Sequence, residues 1–88
     1  MINLVFTKTF LRQLKKFDKS FVKVIVERIE LFKNPENHKR LEVHKLHGRL
    51  SDKYAFSINK KDRIMFIYNS QNEAIMLAVD DHDLYRKR

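Results

Sequence analysis

His44-Lys45-Leu46-His47-Gly48, Tyr54-Ala55-Phe56-Ser57-Ile58-Asn59, Arg63-Ile64-Met65-Phe66-Ile67-Tyr68-Asn69 and Ala74-Ile75-Met76-Leu77-Ala78-Val79 follow one another closely, and the chain then reaches His82-Asp83-Leu84-Tyr85. The last three runs have strand length, are rich in branched and aromatic residues, and are separated by polar turn residues. In the first of them, large residues alternate with small or polar ones. Tyr54, Phe56 and Ile58 should face a helical layer, and Ala55, Ser57 and Asn59 an open side. Arg63 to Tyr68 is apolar on both faces, as a central strand would be. Ala74 to Val79 reads as the last central strand, after which Asp80-Asp81-His82 leaves the sheet. Lys60-Lys61-Asp62 and Asn69 to Asn72 supply the turns. Gly48, the only glycine, marks a tight turn or a positive φ.

Upstream, Arg40 to Leu46 alternates loosely and predicts another short strand, and Glu36 to Arg40 a loop. Phe21, Val22, Ile25, Val26, Ile29 and Phe32 form a wide apolar helical face, capped by Asp18 or Ser20 and ended by Asn34-Pro35. Phe10, Leu11, Leu14 and Phe17 form the face of an earlier helix with Thr7 as N-cap. Ile2 to Thr7 reads as a first strand. The pattern predicts an α+β fold: an N-terminal strand and an antiparallel two-helix hairpin packed on a small, mainly antiparallel sheet of four to five strands.

Eighty-eight residues predict a single domain spanning 1–88. Cysteine is absent, so neither a disulfide nor a thiolate zinc site can form, which fits a reducing cytoplasm. No run approaches the roughly 20 apolar residues that span a bilayer, and no signal-peptide pattern is present. The formal charge of +8 and a pI near 9.9 favour a polyanionic partner, either nucleic acid or an acidic protein.

Metal-free cleavage of RNA uses the neighbouring 2′-hydroxyl as nucleophile. It needs a base for that hydroxyl, an acid for the leaving 5′-oxygen, and cationic donors for the crowded phosphate. Histidine suits both proton roles, and the arginine fork matches phosphate oxygens. His44, His47 and His82 lie near strand ends, Arg63 begins a central strand, and Asp62 or Glu42 could orient or replace a base. Lys8, Arg12, Lys15, Lys16 and Lys19 form a cationic helical stripe suited to tracking phosphates. Taken singly, each histidine is more often a surface residue, an arginine like Arg63 a structural ion-pair partner, and such a stripe a solvated face; joint placement is the signal. His44-x-x-His47 with His82-Asp83 offers ligands to a metal, but completes no compact zinc pattern. No glycine-rich phosphate loop or nucleophile elbow occurs.

The order strand–helix–helix–strands, with His-x-Leu-x-Gly before a strand, an Arg-Ile-Met-Phe-Ile-Tyr strand and a terminal His-Asp-x-Tyr, resembles the RelE/ParE toxin superfamily over nearly the whole chain, and within it the YafQ-like mRNA interferases. The resemblance implies the toxin of a type II toxin–antitoxin pair: an endoribonuclease that cuts mRNA in the ribosomal A site without metal or other cofactor. An acidic antitoxin would wrap and block it, contacts to 16S rRNA would accompany cleavage, and operator DNA would be met only through the antitoxin. His44, Asp62 and His82 match the catalytic positions of that branch, and Arg63 the arginine of the strand motif. His82 would act as general acid and His44 or Asp62 as base. Arg63, helped by Lys60 or Lys61, would stabilise phosphate charge, and Tyr85 would stack on a base or position the phosphate. Lys8, Arg12, Lys15, Lys16, His47 and Arg49 would join Lys60 and Lys61 in holding RNA. The chain departs from the pattern at Ser57, where an arginine is common, at Ile58, near a second histidine of the branch, and at Tyr85, three rather than four residues after His82. The same scaffold also serves ParE-like gyrase inhibitors and non-catalytic modules that bind antitoxin or nucleic acid.

Overall fold

The computed structural model describes residues 1–80. Strand β1 (Asn3–Phe6) leads into helix α1 (Lys8–Lys16) and helix α2 (Lys19–Phe32). A 3-10 turn (Pro35–Asn37), the two-residue strand β2 (His44–Lys45) and a second 3-10 turn (Gly48–Leu50) follow. Strands β3 (Tyr54–Ser57), β4 (Arg63–Ser70) and β5 (Glu73–Asp80) complete the described chain. The sheet order is β1-β5-β4-β3-β2, with β1 parallel to β5 and every other pair antiparallel. Among the described residues no helix is long and apolar enough to cross a membrane.

The helix starts follow from local chemistry. Thr7 Oγ1 accepts from Phe10 N at 3.1 Å and lies 3.1 Å from the carbonyls of both Met76 and Leu77, to which it can donate. One hydroxyl thus caps α1 and fastens it to β5. Asp18 accepts from Phe21 N at 2.9 Å and from Ser20 Oγ at 2.7 Å, and these bonds, Ser20 first, hold its pKa below the ordinary 3.8. Phe17 and Asp18 alone link the helices.

The core lies between the helices and one face of the sheet. Phe10, Ile25, Ile29 and Phe32 meet Phe56, Ile58, Ile64, Phe66, Ala74, Met76 and Val79 there. Phe32 is its centre. It stacks on Phe56 and on His38, each with ring centroids 4.6 Å apart and 10° between planes, and meets Phe66 edge-on at 4.8 Å. His38 Nε2 lies 2.7 Å from the Phe32 carbonyl, which can only accept, so that nitrogen carries the proton. His38 is therefore part of the packing. Tyr68, half-buried at the margin, has its pKa raised by burial and then by the nearby Tyr54.

Three expectations are corrected. Leu11 is 45% exposed and Val26 47% exposed. Only Ile25, Ile29 and Phe32 of α2 are buried, because residues about 100° off that stripe point past the sheet. The strand expected over Arg40 to Leu46 shrinks to His44–Lys45. Leu41 N bonds Asn37 O and Glu42 N bonds Lys39 O, so the chain turns helically and stops at Glu42, whose φ is 59°. Leu41 enters the core from that turn, and its carbonyl accepts from Ser57 N at 2.8 Å. Asn59 is not a strand residue: its Oδ1 accepts from Lys61 N and Asp62 N, each at 2.8 Å, and forms the β3–β4 turn. The sheet face away from the helices is apolar across its middle and polar where strands end. Register and alternation put Val5, Ile75, Ile67 and Met65 on its middle. Ala55, on the same side, is fully buried yet lies outside the main core cluster.

Candidate active site

The polar corner lies where β3 ends and β4 begins. Ser57 is opposite Arg63, and Arg63 is opposite Asp80, so the three side chains share a row on the face away from the helices. Ser57 Oγ donates to Glu42 Oε1 at 2.9 Å, extending the row beyond β3. Arg63 Nε donates to Asp80 Oδ2 at 2.9 Å. The Asp80 side chain is 13% exposed and that of Arg63 36%, so the carboxylate is the sheltered partner. Contact through Nε holds the guanidinium plane, and its terminal Nη groups make no hydrogen bond among the described residues.

His44 belongs to the neighbouring row. It pairs with Ala55, which pairs with Met65, and therefore projects from the same face as Arg63. Two strand spacings and one row, together roughly 12 Å, separate the His44 and Arg63 backbones, a gap that a histidine and an arginine can close from either side of one phosphate. His44 Nδ1 lies 2.7 Å from the Glu42 carbonyl. A carbonyl only accepts, so Nδ1 carries the proton, which leaves Nε2 as the nitrogen that can accept one. The left-handed turn at Glu42 thus serves two side chains: its carbonyl orients His44 and its carboxylate engages Ser57.

Asp62 is 7% exposed, and its Oδ2 accepts from Asn59 Nδ2 at 2.9 Å. Its carbonyl accepts from Ile58 N at 2.9 Å. Asp62 thus braces the turn that delivers Arg63, whereas His44 is exposed on the open face. Lys60 and Lys61 are exposed in the same turn. His47 and Arg49 are exposed at the second 3-10 turn, where Gly48 has φ +68° and open space around its Cβ position. Lys8, Arg12, Lys15 and Lys16 are exposed along α1. His82 and Tyr85 lie outside the described residues. Among the described residues no three metal-ligating side chains cluster, so His44 and His47 find no third ligand there.

Two positions were missed from sequence. The sequence pattern gives Asp80 only as strand exit, although the Asp80-Asp81 pair following an apolar run offers a partner for Arg63. Gln13 was unremarked between Arg12 and Leu14. Its Nε2 donates to Val79 O at 3.0 Å and its Oε1 accepts from Val79 N at 2.7 Å. β1 ends opposite Met76, so Gln13 replaces the missing strand beside Val79 and steadies the end of β5 that carries Asp80.

No family model matches the sequence, and no curated protein matches it. Solved structures do match. The toxin–antitoxin complex RelBE2 from Mycobacterium tuberculosis is 18% identical, with 91% of this chain and 96% of that chain covered and a TM-score of 0.69. The YoeB-YefM complex from Staphylococcus aureus is 21% identical over 93% and 98%, with a TM-score of 0.71. The chain has the RelE/ParE toxin fold. The archaeal RelE-RelB complex from Pyrococcus horikoshii matches similarly, at 19% identity, 91% and 93% coverage and a TM-score of 0.68. Agreement spans more than nine-tenths of each chain, so the shared fold takes in both the helices and the sheet.

Proposed function

We propose that this chain is the toxin of a type II toxin–antitoxin pair and cuts ribosome-bound mRNA by attack of a 2′-hydroxyl on the adjacent phosphate. The observation that carries the proposal is the corner itself: an oriented guanidinium and an acceptor Nε2 on one open face of a RelE/ParE fold. His44 Nε2 takes the 2′-hydroxyl proton. The Nη groups of Arg63 hold the phosphate as its charge rises, with Lys60 and Lys61 adding positive potential. His82, two residues beyond the Asp80 that pairs with Arg63, gives its proton to the leaving 5′-oxygen, and Tyr85 stacks on a base or positions the phosphate. Asp62, buried in the turn, positions Arg63. The assignment to the YafQ-like branch rests on His44 and His82.

The partner follows from charge. An acidic antitoxin suits a chain of +8, and the matched RelBE2, YoeB-YefM and RelE-RelB structures are all complexes of such pairs. Induced expression followed by mapping of mRNA 5′ ends tests the reading: new ends inside translated codons are expected, and their absence refutes cleavage. Loss of gyrase supercoiling without new ends would transfer the chain to the ParE-like reading, against which His44 speaks.

A further inference from the structure

Around the end of β3 from the corner, a cleft of about 230 Å³ opens between α2 and the turn before β2. Arg28 of α2, Arg40 of the turn and Lys60 of the β3–β4 hairpin all line it. The ion pairs among the described residues join Lys33 to Glu30, Lys53 to Asp52 and Arg63 to Asp80, so none of the three cleft cations has a carboxylate partner there. The lining carboxylate is Glu42, already engaged by Ser57 Oγ. Three cations against one carboxylate leave the cleft positive. Like charges gathered around a concave site repel one another unless an anion joins them.

We propose that this cleft binds a backbone phosphodiester of RNA, next to the phosphate held at Arg63. The inference rests on the RNA-cleaving reading of the corner and extends it. Ser57 and Glu42 belong both to the Arg63 row and to the cleft wall, so a strand with one phosphate at Arg63 meets the cleft one β-strand farther on. Arginine forks match phosphate oxygens in pairs. The buried floor of Leu41 and Ile58 lowers the local dielectric and strengthens the attraction. The phosphodiester could belong to the cleaved strand or to ribosomal RNA; the chemistry is shared, and the test separates them.

The probe is a short single-stranded RNA, 2′-O-methylated so that it cannot be cut, titrated against the full chain over a range of salt. Vacant ribosomes form the second arm. Arg28→Gln with Arg40→Gln should weaken binding about tenfold and flatten the dependence of log K on log salt by about 0.7, the loss of one phosphate contact on a single strand. Arg28→Lys with Arg40→Lys should restore the slope. Arg40→Gln alone alters only an exposed side chain, and should flatten the slope in part even if the double variant melts. Flattening on the oligonucleotide assigns the phosphate to the cleaved strand; flattening on ribosomes alone assigns it to ribosomal RNA. Unchanged slopes on both ligands overturn the proposal, including the case in which the variant loses only an acidic protein partner. The readout needs no cleavage. A protein that binds as described but never cuts sinks the catalytic reading alone, and one that cuts with unchanged slopes sinks this inference alone.

Discussion

Gln13 gives the sharpest link between the fold and the corner. Its amide meets the N–H and C=O of Val79 at 2.7 and 3.0 Å, and Val79 is 2% exposed. Gln13→Ala removes two hydrogen bonds and leaves a buried donor and a buried acceptor unmet. At about 1–2 kcal/mol for each group, the loss is on the order of 2–4 kcal/mol. A domain of this size holds roughly 5–13 kcal/mol in total, so the change is large. With a urea m-value near 1–1.5 kcal/mol/M, the midpoint should fall by about 2 M with an unchanged slope. Gln13→Glu at neutral pH can still accept from Val79 N–H but turns a second lone pair towards Val79 O, so it should recover at most half the loss. The end of β5 carries Asp80, so cleavage by the folded fraction should also fall as Arg63 loses its orienting partner. Gln13→Ala with a stability within about 0.5 kcal/mol of the parent would refute this account of how α1 holds the sheet.

Other consequences are narrower. Phe32→Ala removes the middle ring of the Phe56–Phe32–His38 stack and should cost about 3–5 kcal/mol, read as a lowered thermal midpoint, with Phe32→Leu costing far less. Gly48→Ala should cost about 1 kcal/mol through its φ of +68° rather than through a clash, and Gly48→Asn less; equal urea midpoints for the two would contradict that cause. Asp18 has a lowered folded-state pKa, so its contribution is present above the ordinary 3.8 and is lost as pH falls through the lower folded value. The stability difference between the parent and Asp18→Asn should therefore shrink in urea titrations as the pH is taken below that range.

Much of the fold was written locally. Thr7 and Asp18 announced the helix starts because a cap needs only its own side chain and the backbone three residues on. The last three strands were legible because their branched and aromatic runs are bounded by turn residues. What sequence could not show was set by distant partners. Leu41 and Val43 alternate as strand residues do, yet Leu41 reaches the core from a turn stopped by the left-handed Glu42. The parallel β1–β5 pair depends on residues some seventy positions apart. Arg63 to Tyr68 reads as apolar on both faces, and β4, two strands from either edge, does carry Met65 and Ile67 on the middle of the open face, with polar residues where strands end. At the corner, residue type is enough to single out His44 and Arg63 as candidates, whereas the Asp80 contact emerges only from the β4–β5 register and Glu42's hold on His44 only from the turn.

The central claim is that His44 Nε2 draws the proton from a 2′-hydroxyl beside the phosphate held by Arg63. Single-turnover cleavage of ribosome-bound mRNA by the parent and by His44→Ala, with matched thermal melts, tests it most directly. A loss of about 10²–10⁴-fold in rate with an intact fold is the predicted result; cleavage by His44→Ala at the parent rate would contradict it.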